Sequence, residues 1–141
     1  MNTPQQQTGK AIHQATFVSG QALKIPTLKV LANDGQIIDG AQMPQIDQDL
    51  ALKIYDTMVY IRVLDERMVA AQRQGRVSFY MTCKGEEASI IGSAAALSDN
   101  DMIMAQYREH AAIRYRGFTS DNFMNQLFSN KNDLGKGRQM P

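Results

Sequence analysis

The predicted fold is decided by Asp101-Met102-Ile103-Met104-Ala105-Gln106-Tyr107-Arg108. Residues 101–105 form a short apolar run after the polar break at 98–100, a pattern typical of a buried strand. Helical patterns lie before the run, at 86–97, and after it, at 109–116. Because helix, strand and helix alternate, the sequence predicts an α/β layered domain. One good strand does not make a parallel sheet, so we expect the sheet to continue beyond residue 141.

A long helix is predicted before this region. Its apolar residues are spaced by three or four, which places them on one helical face: Leu50, Ile54, Met58, Ile61, Leu64 and Met68. Asp47 is the predicted N-cap and Gly75 the predicted end. Tyr55, Val59 and Val63 widen the apolar stripe, so we expect this helix to pack against more than one neighbour.

Two further helical features carry predictions about packing. Ala88, Gly92 and Ala96 lie one turn apart, so another backbone is expected to approach that face closely. A last helix is predicted over 121–128, capped by Thr119 or Ser120.

The chain is expected to have three parts. Residues 1–24 are polar and predict a flexible N-terminal tail. Residues 25–46 contain the turn signal Asn33-Asp34-Gly35 and predict an extended arm or hairpin. Residues 47–141 contain the helical and strand patterns and predict the layered domain.

Charge and cysteine content exclude several classes of function. Fifteen Lys and Arg against fourteen Asp and Glu give a net charge of +1, which argues against nucleic acid or an anionic membrane as a partner. The single cysteine, Cys83, cannot form an intrachain disulfide, and no paired metal-ligand spacing occurs. The first ten residues lack a signal-peptide pattern and no long apolar run follows, so a reducing cytoplasm is expected.

The residues that follow the predicted strand are the candidate ligand site. Ligands bind at the carboxyl ends of strands in open α/β sheets, and residue 105 delivers Tyr107 and Arg108 to that edge. The guanidinium of Arg108 suits phosphate oxygens, the Tyr107 hydroxyl adds a donor, and backbone N–H groups of the next helix are expected there. The alternative is an arginine paired with a surface carboxylate such as Glu109.

Other conspicuous residues favour structural roles. Cys83 is interpreted as a non-catalytic thiol. Glu86 and Glu87 are interpreted as acids at a helix N-terminus, where the helix dipole favours them. For His110 the sequence leaves a general base and a packed residue both open.

Five blocks occur in a fixed order along the chain: residues 73–82, 85–87, 92–97, 106–109 and 135–141. In this order they resemble the alpha subunit of branched-chain 2-oxo acid dehydrogenases. The blocks Ser78-Phe79-Tyr80-Met81-Thr82 and Gly137-Arg138-Gln139-Met140-Pro141 favour that group over the alternatives, the alpha subunits of pyruvate or acetoin dehydrogenase. A further alternative is an inactive truncated fragment that only associates with partner subunits.

The resemblance implies a thiamine-diphosphate-binding fold, a three-layer α/β/α architecture that is incomplete here and is preceded by the extended arm. Tyr107 and Arg108 match the pair that contacts the cofactor diphosphate, and Gln106 lies beside them. The Mg²⁺ ligands and the catalytic histidine are expected beyond Pro141, so no catalytic or metal-binding residue is predicted within the chain.

The resemblance also implies the reaction and the partners. The reaction is oxidative decarboxylation of branched 2-oxo acids, with acyl transfer to lipoyl groups of an acyltransferase component. The alpha subunit is expected to assemble with a beta subunit as two alpha and two beta chains, and the 141 residues alone are expected to be inactive. The location implied is the bacterial cytoplasm, or the mitochondrial matrix in a eukaryote.

Overall fold

The computed structural model describes residues 14, 17, 19–21 and 26–139. The chain divides into two compact units, Met1–Pro44 and Gln45–Pro141. Of the predicted flexible tail, residues 1–24, the structure describes 14, 17 and 19–21, and the others lie outside the described residues. Its flexibility and the three-part division of the chain stay predictions.

In the first unit the chain reverses direction around Gly35. Leu31 and Ile37 form an isolated antiparallel bridge, and the amide of Ile38 donates to the carbonyl of Val30 at 2.9 Å. Gly35 has a φ of +84°, which a glycine adopts at little cost. The turn therefore lies where the Asn-Asp-Gly sequence predicted it.

The second unit contains four helices: α1 (Gln48–Arg73), α2 (Glu87–Ala95), α3 (His110–Tyr115) and α4 (Ser120–Leu127). The carboxylate of Asp47 accepts the amide of Leu50 at 2.8 Å, which confirms the predicted N-cap of α1. Thr119 caps α4 in the same way. Helix α1 ends at Arg73, and Gly75 follows with a φ of +71°.

The core forms where the inner face of α1 meets the other elements. The buried residues of α1 include three of the six predicted ones, Ile61, Leu64 and Met68, and the other three are partly buried. Around them pack Val77, Tyr80, Cys83, Ile91, Ala111, Phe123 and Leu127. The predicted apolar face of the long helix is confirmed.

The predicted strand at 101–105 is wrong for the described residues, which contain no strand. Residues 102–106 have no regular secondary structure, and no described residue forms a ladder with them. Met102 is 85% exposed and Met104 is 90% exposed. A strand is stabilised by hydrogen bonds to a neighbour, so an apolar segment with no such neighbour stays outside regular structure. The observed architecture is helical, and the three-layer α/β/α prediction is not confirmed by it.

The prediction that α1 packs against more than one neighbour is confirmed, since α1 contacts both α2 and α3. Within the described residues, however, the side chains expected to widen its buried stripe are exposed, and the small-residue face of α2 is not covered. Tyr55, Val59 and Val63, on the outer side of α1, are 66%, 45% and 52% exposed. A Cβ added at Gly92 would meet nothing within 4 Å, so no backbone packs closely on that face of α2. Apolar spacing shows which residues share a face and carries no information on whether a partner covers it. In the described part of the chain, no helix is both long enough and apolar enough to cross a lipid bilayer.

Candidate functional site

A cavity of about 560 Å³ lies beside the segment that sequence analysis singled out. Gln106 and Tyr107 line it, together with Tyr80 and His110. Apolar side chains complete the wall, among them those of Ile113, Phe123 and Leu127. The volume and the mixed lining are typical of small-molecule sites. The structure thus places two of the three predicted site residues on one cavity, while Arg108 lies outside its lining.

The turn before α3 is fixed by the carboxylate of Glu109. Its Oε2 accepts the amides of Gln106, Tyr107 and Arg108 at 3.0, 3.2 and 3.2 Å. Desolvation raises the pKa of this carboxyl, but the backbone hydrogen bonds outweigh it and the pKa is lowered overall. The backbone N–H groups predicted for phosphate therefore bond Glu109 instead. Ligand recognition at this turn falls to the side chains.

Arg108 reaches two side chains of the loop before α2. Its Nη1 lies 3.3 Å from Oε1 of Glu86, and its Nη2 lies 3.0 Å from Sδ of Met81. The partner is Glu86 rather than Glu109, the partner named as the sequence alternative. The two charged side chains are 38% and 50% exposed. Ion pairs that exposed are worth at most about 1 kcal/mol, so Arg108 can exchange Glu86 for a stronger anion.

A buried polar network that the sequence reasoning missed lies next to the cavity. Asp65, 4% exposed, projects from the inner face of α1. Its Oδ1 accepts the Tyr80 hydroxyl at 2.6 Å and lies 2.9 Å from Nε2 of His110. Its Oδ2 accepts the backbone amide of Cys83 at 3.0 Å. For His110 the sequence left a general base and a packed residue both open. The structure favours the packed residue, because the His110 ring packs against Tyr80 and its Nε2 lies within hydrogen-bond distance of Asp65.

The network keeps both of its weak acids protonated. Burial, and then the hydrogen bond to Asp65, raise the pKa of Tyr80 well above its ordinary range, so its hydroxyl remains a donor. Burial raises the pKa of the Cys83 thiol to about 12, and the Asp65 carboxylate adds to the effect. The interpretation of Cys83 as a non-catalytic thiol agrees with its complete burial.

Asp65, Cys83 and His110 bring possible metal-ligand atoms within 4.8 Å of one another. Both oxygens of Asp65 already face N–H or O–H donors. A protonated thiol is a poor ligand, and Mg²⁺ prefers oxygen ligands in an octahedral arrangement. These three residues therefore do not fit a Mg²⁺ site.

The side chains near the turn do fit an anionic cofactor group. Tyr107, which carries a hydroxyl donor, lines the cavity, and the guanidinium carbon of Arg108 lies 5.8 Å from the centre of the Tyr107 ring. A planar fork of donors held by one weak carboxylate partner suits phosphate oxygens. The fit to an anion therefore depends on the side-chain donors of Tyr107 and Arg108 and not on backbone N–H groups.

Comparison with known proteins identifies the family of the chain. Residues 55–141 match the family model described as dehydrogenase E1 component. The mitochondrial 2-oxoisovalerate dehydrogenase subunit alpha of Caenorhabditis elegans is 49% identical over 117 residues, 83% of this chain and 27% of that protein. The corresponding alpha 2 subunit of Arabidopsis thaliana is 50% identical over 118 residues, 84% of this chain and 25% of its own length. The human alpha subunit is 43% identical over 128 residues, 91% of this chain and 28% of its own.

The chain spans about a quarter of the length of these curated relatives. The family model covers the part that holds most of α1, the Asp65 network and the turn at Gln106–Arg108. Because that match extends over more than half of the chain, the protein belongs to the dehydrogenase E1 component family.

Proposed function

We propose that this chain forms part of the alpha subunit of a branched-chain 2-oxo acid dehydrogenase and holds the diphosphate of thiamine diphosphate through Tyr107 and Arg108. The observation that supports this most directly is the position of Tyr107 on a cavity of about 560 Å³, with the Arg108 guanidinium beside its ring. The names of the relatives, 2-oxoisovalerate dehydrogenase alpha subunits, support the branched-chain substrate. Gln106, on the same cavity, is proposed to assist.

The chemistry that thiamine diphosphate supplies when bound is decarboxylation of a 2-oxo acid and transfer of the remaining acyl group. The residues of this chain bind and orient. Arg108 would leave Glu86 and meet a diphosphate oxygen, an exchange of a half-exposed carboxylate for a more highly charged anion. Tyr107 would donate its hydroxyl from the cavity wall, and Ile113, Phe123 and Leu127 would exclude water from the far side.

The complete enzyme needs parts that the described residues do not supply. We propose a beta subunit, assembled as two alpha and two beta chains, a lipoyl-bearing acyltransferase component as acyl acceptor, and Mg²⁺ held by residues other than Asp65, Cys83 and His110. We also propose that the sheet of the three-layer α/β/α fold is completed by other parts of the full subunit.

The test is cofactor binding in the assembled enzyme, made from the full-length subunit that carries these residues and its beta subunit. Thiamine diphosphate is titrated at saturating Mg²⁺ into wild type and Arg108→Ala. Charge-assisted hydrogen bonds contribute about 1.5–3 kcal/mol, so the dissociation constant should rise about 10- to 100-fold. Turnover of 2-oxoisovalerate should exceed that of pyruvate in the wild-type enzyme.

Arg62→Ala is the matched control. Arg62 also pairs with a single glutamate, Glu66 at 3.9 Å, but its side chain is 71% exposed and lies away from the cavity. Its loss should leave the dissociation constant unchanged. Equal affinities for wild type and Arg108→Ala would remove Arg108 from the site, and faster turnover of pyruvate would replace the proposed substrate.

A further inference from the structure

One carboxylate joins three separate segments of the second unit. Asp65 belongs to α1, Tyr80 and Cys83 belong to the loop between α1 and α2, and His110 is the first residue of α3. All three partners donate to, or lie within hydrogen-bond distance of, the same carboxylate, at 2.6, 3.0 and 2.9 Å. An apolar residue at this position would leave the buried amide of Cys83 and the hydroxyl of Tyr80 without an acceptor. The carboxylate therefore satisfies the loop between α1 and α2 and also contacts α3, which ties both segments to α1.

Each segment that Asp65 holds leads to the predicted diphosphate ligands. His110 follows Arg108 by two residues and lines the cavity with Tyr107. Cys83 lies between Met81 and Glu86, whose side chains are the two that contact the Arg108 guanidinium. The carboxylate thus fixes the chain just after Arg108 and also the loop on which the guanidinium rests.

We propose that Asp65 is a positioning residue for the Tyr107 and Arg108 pair, acting through His110 on one side and through the amide of Cys83 on the other. The inference rests on the proposed function, because it takes the pair to be the diphosphate clamp. Asp65 does not line the cavity. Its effect is to hold the turn and the loop in the one relative position in which both side chains can reach the same anion.

The test is Asp65→Asn in the assembled enzyme. Asparagine keeps the shape of the side chain. Each carboxylate oxygen of Asp65 now accepts from at least one donor, so the amide nitrogen that replaces one oxygen would face a donor instead of an acceptor. Loss of an outer partner that orients a metal ligand typically weakens binding about 10- to 100-fold, and we expect a rise of similar size in KM for thiamine diphosphate. At saturating cofactor, kcat should stay within about twofold of wild type, because bound thiamine diphosphate itself holds Tyr107 and Arg108 in place.

Glu66→Gln is the matched control, since Glu66 is the next residue on α1 and its side chain is 73% exposed. It should change neither constant. A conservative pair at His110 gives a second test: His110→Gln keeps an N–H donor for Asp65, and His110→Leu removes it. The leucine variant should raise KM for the cofactor, and the glutamine variant should recover most of the loss.

A lower melting temperature of Asp65→Asn with unchanged KM would make the network structural and overturn the inference, while leaving the proposed function intact. If Asp65→Asn fails to assemble, equal KM values for His110→Leu and His110→Gln overturn it in the same way. Failure of the wild-type enzyme to bind thiamine diphosphate would instead refute the proposed function, and the two failures are therefore distinguishable.

Discussion

The two sides of α1 carry similar apolar side chains in different surroundings. On the inner side Ile61 is fully buried, and Leu64 is 7% exposed. On the outer side Val59 and Val63 are about half exposed, although they belong to the same helix and the same apolar stripe. The helix is defined by its own spacing and caps, whereas burial is defined by what other elements bring to it. We therefore expect the reactivity of a thiol, and the effect of a substitution on the free energy of unfolding, to differ between the inner and outer sides of α1.

The largest expected difference is chemical, and it concerns the thiol that faces the inner side. Burial raises the pKa of Cys83 to about 12, against an ordinary value of 9.0. A raised pKa keeps the thiol neutral until the pH approaches that value, so at pH 8 its thiolate fraction should be about a thousandfold below that of an ordinary cysteine. Alkylation by iodoacetamide at pH 8 should be correspondingly slow in the folded protein.

Val63→Cys places a second thiol on the outer side of α1 and gives a comparison within one molecule. Val63 is 52% exposed, so the new thiol should react at the rate of an ordinary cysteine. Peptide mass spectrometry after timed alkylation measures both positions. Similar rates for the two thiols would mean that the inner side of α1 opens to solvent on the time scale of the reaction.

The second difference is energetic. Ile61→Ala should lower the free energy of unfolding by about 2–5 kcal/mol, because it removes buried methyl groups and leaves a cavity. Val63→Ala, on the outer side, should change it by no more than about 0.5 kcal/mol. Urea denaturation followed by circular dichroism measures both values.

Ile61→Val, which costs about 0.5–1.5 kcal/mol, replaces the alanine variant if that chain does not fold. A loss at Val63 as large as that at Ile61 would contradict the exposed outer side. It would show that another surface covers Val63 in solution.

What the sequence could predict follows the same division. Spacing of three or four and the Asp47 cap were enough for α1, because helical hydrogen bonds and caps are local. The run at Met102–Met104 had the right composition for a strand, but a strand depends on a partner, and none of the described residues provides one. The exposed methionines there and the exposed valines of α1 fail for the same reason: apolar composition predicted burial, but no described element covers them.

The candidate site divides in the same way. Tyr107 and Gln106 were predicted from their place after an apolar run, and both line the cavity. Asp65 was missed because its partners, Tyr80 and His110, lie 15 and 45 residues away in sequence. One signal was available: Asp65 falls four residues after Ile61 and three before Met68, an acid on an otherwise apolar face. Such a residue requires buried donors, and sequence spacing does not identify them.

The smallest expected effect tests an exposed face on the next helix. Gly92 lies inside α2 with helical backbone, and a Cβ there would meet nothing within 4 Å. Gly92→Ala should therefore stabilise the chain by up to about 1 kcal/mol, since alanine loses less backbone entropy in a helix than glycine does.

Gly75→Ala is the control with the opposite expected sign. Its added Cβ would also meet nothing within 4 Å, but Gly75 has a φ of +71°, which strains any residue with a side chain. Both free energies of unfolding come from the same urea titrations. If Gly92→Ala destabilises the chain as Gly75→Ala does, another surface contacts the Gly92 face of α2 in solution. Its small-residue face would then be covered, and the contrast between inner and outer sides would hold for α1 alone.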